Sequence, residues 1–194
     1  MKFKWTSSNK YLIKFIVSLF IIGIVFGFIF YSRETNVIKT DIINELSNLK
    51  DYLPITRQNN FLYHIILLSI LGILSLIVAG FPLLLFYFFY EAVSFGFLLG
   101  ALFHMNTFEG LLFGVIFALV YKLFLYLALM YLIISSFHYS KKIIILIKNK
   151  DYRISDYIAN HLFKIVFIFL AVLLTDLIIY FFGNKIVSYF LFLL

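Results

Sequence analysis

Apolar positions along this chain gather into five long blocks, and the charged positions fall between them. The blocks cover roughly 11–31, 61–80, 82–104, 110–137 and 162–182. A helix needs about 20 apolar residues to cross the hydrocarbon core of a bilayer. The pattern therefore predicts an all-α fold: a polytopic transmembrane bundle of about five spans in one integral membrane domain. The apolar tail 186–194 is too short to cross and reads as an interfacial or re-entrant end. Two polar segments carry a helical period of their own. In 37–53, Ile38, Ile42, Leu46, Leu49 and Leu53 recur every three or four residues until Pro54 stops the pattern. In 141–161, Ile143, Ile144, Ile147, Ile154 and Ile158 alternate with Lys, Asp and Arg. Both read as short amphipathic helices outside the bilayer.

Composition agrees with the membrane reading. Hydrophobic residues make up 64% of the chain and charged residues 13%. A soluble domain of this length cannot hide so much apolar surface. With Cys 0, disulfides, thiolate metal sites and a cysteine nucleophile are excluded. The net charge of +7 sits in short segments beside apolar spans, so anionic lipid is the expected partner and nucleic acid is not. The wealth of Phe, Tyr, Ile and Lys fits an AT-rich, bacterial genome and a bacterial cell membrane.

Lysine and arginine placement implies an orientation. The N-terminal tail has four basic and no acidic residues, loop 32–60 has four of each, and segment 138–164 has six basic and two acidic. The tail and 138–164 are expected inside, loop 32–60 outside, with the N-terminus in and the C-terminus out. The first span lacks a small-x-small cleavage site at Phe30-Tyr31-Ser32-Arg33 and reads as an uncleaved anchor.

Three spans carry Gly-x-x-x-Gly: Gly23/Gly27, Gly96/Gly100 and Gly110/Gly114. Such pairs let helix backbones approach closely. Counted outward from the turn near Met105–Asn106, Gly100 matches Gly110 in depth and Gly96 matches Gly114. This predicts a hairpin of spans three and four packed glycine to glycine. Glu91, Lys122 and Asp176 are the charges inside spans, where they mark function or a buried pair. Glu91 and Lys122 share a depth, yet Glu91 lies about 160° around its helix from the Gly96/Gly100 stripe and Lys122 about 100° from its own. On that geometry they meet only if Lys122 reaches around, or if a third helix or a second subunit brings Glu91 a partner. His64, His104, His138 and His161 show no ligand spacing. No catalytic constellation, cofactor motif or metal motif stands out, so a non-enzymatic protein is expected.

The block 61–140 resembles the stage II sporulation protein M family of bacterial membrane proteins. The likeness rests on Gly72, Ala79-Gly80-Phe81-Pro82, Gly96-Phe97-Leu98-Leu99-Gly100 and Gly110. Gly80 and Pro82 stand at the family-like turn. Where many relatives carry Pro-His-Gly in the fourth span, this chain has Val120-Tyr121-Lys122. The resemblance implies one of two settings. One is a membrane anchor that recruits cell-wall enzymes, with Leu46 and Leu49 of the outer helix as docking residues. The other is a permease-like subunit working with an ABC-type ATPase in export, maturation or immunity of a peptide such as a circular bacteriocin. There the ATPase docks near Lys141, Lys142 and Arg153, and Glu91, Lys122 and Asp176 line a polar route. Either arrangement admits a homo-oligomer.

Overall fold

A backbone in hydrocarbon must satisfy its own hydrogen bonds, and a helix does so within one segment. The computed structural model describes residues 7–47, 57–149 and 154–190, and every regular element among them is helical. They are α1 (Ser7–Ser32), α2 (Asn36–Ser47), α3 (Arg57–Leu76), α4 (Gly80–Tyr121), α5 (Leu123–Lys148), α6 (Ile154–Ile178), a π-helical turn (Ile179–Gly183) and α7 (Asn184–Tyr189). Four stretches are long and apolar enough to cross a membrane: Lys10–Ser32, Gly80–Tyr121, Leu123–Lys148 and Ile154–Gly183. The apolar run of α3, Leu62–Leu76, is shorter. The chain is an all-α helical membrane bundle.

α4 is not one straight rod. Asn106 (φ −144, ψ 36) and Thr107 (φ 45, ψ −119) leave helical geometry. A β-branched residue at positive φ is strained and persists only where its surroundings hold it. The chain folds back here, so that the backbone of Leu102 lies against Gly110 and the Leu102 side chain against Gly114. Across a straight helix, residues eight apart would be about 12 Å apart. The expected hairpin is therefore present, with arms 80–105 and 108–121.

Its glycines pack differently from the expectation. Gly96 lies on the Ile24 backbone and Gly100 on the Tyr31 ring, both in α1. In return Gly23 meets Ala92 and Gly27 meets the backbone of Val93 and Phe97. The register rises together on both helices, so α1 and the first arm run parallel. Gly110 and Gly114 face leucines, Leu99 and Leu102, and not Gly96 or Gly100. Depth matching found two neighbours of the turn. It could not see that α1, distant in sequence, takes the narrower face.

The second arm and α5 are nearly continuous. The Lys122 N–H donates to the Ala118 carbonyl at 2.9 Å and the Tyr126 N–H to the Lys122 carbonyl at 2.9 Å. Lys122 itself is bent away from ideal helix (φ −114, ψ −19). At ~1.5 Å per residue, 108–148 reaches about 60 Å, twice a hydrocarbon core of about 30 Å. It is therefore longer than the apolar layer, and Lys141, Lys142 and Lys148 lie at its far end. α5 also runs through the middle of the bundle: Leu125, Leu129, Leu132 and Ile133 join Ile16, Leu71, Leu84, Phe88, Ile168 and Val172 in the main core. A second cluster, Leu102 and Phe113, sits at the hairpin tip and receives Leu46 from α2 and Phe190 after α7.

Three boundaries change. Segment 141–161 is not a separate amphipathic helix: Lys141 and Lys142 lie on the last turns of α5, and α6 begins at Ile154. Arg153 lies outside the described residues, as do Leu49 and Leu53. The apolar tail continues α6 through the π turn, where Gly183 packs against Val120, and α7 then brings Phe190 to the hairpin tip. Gly80 opens α4 and lies on the Leu74 carbonyl, with Pro82 in the first turn, where its missing N–H costs nothing.

The α1–α4 contact makes a direct test. Gly27→Ala and Gly96→Ala each drive a methyl into backbone that cannot move aside, and each is expected to cost about 1–3 kcal/mol. Gly72→Ala meets only a side-chain methyl of Ile165 at 2.9 Å and should cost less. Melting in detergent reads the difference, and equal losses at all three positions would refute the close crossing.

Candidate functional site

The bend at Lys122 and the glycine face of α4 together explain the central ion pair. Because Gly96 and Gly100 face α1, the opposite side of that arm, where Glu91 sits, is turned toward the rest of the hairpin. The 160° offset that argued against a pair is what makes it. Lys122 Nζ donates to Glu91 Oε2 at 3.3 Å, and the Tyr87 hydroxyl donates to Glu91 Oε1 at 2.7 Å. Glu91 is buried, at 6% exposure. Lys122 keeps about a third of its side chain (33%) open. A charge at this depth is costly in lipid without such partners.

The pair stands in the wall of a cavity of about 290 Å³ between the two arms. Phe95, Leu98 and Phe117 supply apolar walls, and Ser94 and Tyr126 add hydroxyl-bearing side chains near the charges. Ile42 of α2 closes part of the lining. α2 is held there by Lys39 Nζ, which donates to the Ser32 carbonyl at 2.8 Å and lies 5.7 Å from the Tyr31 ring centre. Leu46, expected as an outward docking residue, instead packs on the hairpin tip.

Asp176 does not join this cavity. His64 Nδ1 and Asp176 Oδ2 are 2.7 Å apart, linking α3 to α6, with both side chains 11% exposed. His64 shows no ligand spacing in the sequence, and its partner lies 112 residues away. The signal available was that an intramembrane carboxylate needs a donor. His64 adjoins Tyr63, and their ring centres lie 5.6 Å apart. Lys122, Glu91 and Tyr87 thus form one polar group within the hairpin, and the His64–Asp176 pair is a separate link between α3 and α6.

A further buried cluster also escaped the sequence reading. His161 Nε2 faces the Ser75 carbonyl at 3.2 Å, so Nε2 carries the proton and donates, and Nδ1 accepts from the Ser135 hydroxyl at 3.3 Å. Ser136 donates to the same carbonyl at 3.3 Å. That carbonyl is an orphan at the end of α3, where no further helical turn can satisfy it. Tyr139 stacks on His161 at 4.2 Å. This cluster is a helix cap made by tertiary contact.

No protein-family model, no curated protein and no solved structure matches this chain. Its function is therefore argued from these residues.

The α3–α6 link has a measurable consequence. Breaking a buried pair by removing one partner costs about 3–5 kcal/mol. Asp176→Ala should fall in that range, and His64→Ala similarly. Because they share one contact, the double variant should show coupling of about 1–3 kcal/mol in a double-mutant cycle. Additive losses would show that the two side chains do not interact.

Proposed function

We propose that this protein is a non-enzymatic, multi-pass bacterial cell-membrane component that binds an amphiphilic cargo within the bilayer, as a permease-like subunit beside an ABC-type ATPase. The observation that carries this reading is the Glu91–Lys122 pair exposed to an apolar-walled cavity under α2. Ligand sites have this make-up: mostly apolar linings with a few convergent polar groups, at the bottom of a volume range of about 300–1,000 Å³. A charged pair serving stability alone would be expected to pack without a cavity beside it. The orientation inferred from lysine counts puts the cavity toward the outer half and the basic end of α5 inside. There Lys141 and Lys142 are exposed and available to an ATPase.

The scaffold reading keeps one observation in its favour. Val37 (71% exposed) and Ile38 (43% exposed) on α2 face away from the bundle. A cell-wall protein could use them, although Leu46 is already committed to the hairpin tip.

Purification of the tagged protein from its own host in mild detergent separates the two. An ATP-binding subunit is expected to co-purify, and Lys141→Glu with Lys142→Glu should reduce its recovery about tenfold without lowering the melting temperature. Recovery of peptidoglycan-degrading enzymes that depends on Val37 and Ile38, and ignores the lysines, would overturn the permease reading.

A further inference from the structure

Resting on the reading of the hairpin cavity as a binding site, the geometry points to its ligand class: we propose a single-chain amphiphile with a carboxylate head. The head sits at Lys122 and the chain runs along Phe95, Leu98 and Phe117.

The two charges are unequally placed. Glu91 has both oxygens engaged, one by Tyr87 at 2.7 Å and one by Lys122 at 3.3 Å. Its carboxylate is buried and held. Lys122 has three donors to place. Glu91 is its polar partner among the described residues, and 3.3 Å is long beside the ~2.7–2.9 Å of a tight charge-assisted contact. A third of the side chain is open. The ammonium is therefore the more accessible of the two charges, at one end of an apolar space. An oxygen-rich anionic head on a flexible hydrocarbon chain complements both halves of that surface. A cationic head meets the ammonium first and gains little from Glu91, which is buried behind it.

The same geometry limits affinity. A carboxylate entering beside Glu91 must share Lys122 with it, and two carboxylates about 5–6 Å apart repel. Glu91 thus acts as an internal competitor that keeps binding reversible. α2 contributes the lid: Ile42 touches the cavity, and α2 is anchored at one end by Lys39 and at the other by Leu46.

The chain has Cys 0, so Ser94→Cys places a single thiol in the cavity lining. In nanodiscs of neutral lipid, protection of that thiol from maleimide is titrated with dodecanoate, dodecanol and dodecyltrimethylammonium. Dodecanoate should protect best and the cation least. Glu91→Gln should tighten dodecanoate about tenfold or more and leave dodecanol unchanged. The paired substitution Glu91→Gln with Lys122→Met removes both charges at similar volume, avoids a lone buried charge, and should abolish the preference among heads. A preference that survives the paired substitution, or equal protection by all three probes, would overturn the carboxylate assignment while leaving the cavity a binding site. Protection by none of them would overturn the binding reading as well.

Discussion

A charge inside a hydrocarbon layer has to be answered by another polar group, and this constraint organises the bundle. Glu91 is answered by Lys122 and Tyr87, which ties the first arm of α4 to the start of α5. Asp176 is answered by His64, which ties α6 to α3. The orphan carbonyl of Ser75 is answered by His161 and Ser136, which ties α3 to α6 a second time and to α5 as well. Apolar packing between helices in lipid is weakly directional, because lipid tails are as apolar as leucine. These polar links supply the direction that burial alone lacks.

The glycine crossing of α1 and α4 supplies the other half. By placing Gly96 and Gly100 against α1, it turns Glu91 toward the second arm. The cavity lies between the arms, where Phe95, Leu98 and Phe117 stand beside the smaller Ser94, Ala101 and Ala118. The strained turn at Thr107 and the bend at Lys122 are the backbone adjustments that this arrangement needs. Site and fold therefore share their causes: the residues that fix how α1 lies also fix where the ion pair opens.

α2 links the outer polar segment to that site. Its sequence is amphipathic in the ordinary sense, and one apolar residue could face lipid, a partner or the bundle. The structure divides them: Ile42 and Leu46 turn inward to the cavity and the hairpin tip, while Val37 and Ile38 remain exposed. A helix of this kind can act as a cover without forming a large interface of its own, since α2 is held by a few contacts at its ends.

Helical class was legible in the sequence because apolar block length and the helical period are local properties, and a lipid environment leaves helices as the simplest way to satisfy the backbone. The hairpin turn was legible too, since short turns between apolar runs leave little choice of neighbour. The three intramembrane charges could be named from their cost alone. Their partners could not. Glu91 and Lys122 looked mutually averted only because the glycine face was assigned to the nearest helix in sequence, when α1 occupies it. His64 looked isolated because Asp176 is more than a hundred positions away, and His161 because the carbonyl it caps belongs to another helix. Composition and periodicity determine which segments are helical. Only tertiary packing decides which face of each helix meets which neighbour, because that choice depends on contacts made by residues that the local pattern does not contain.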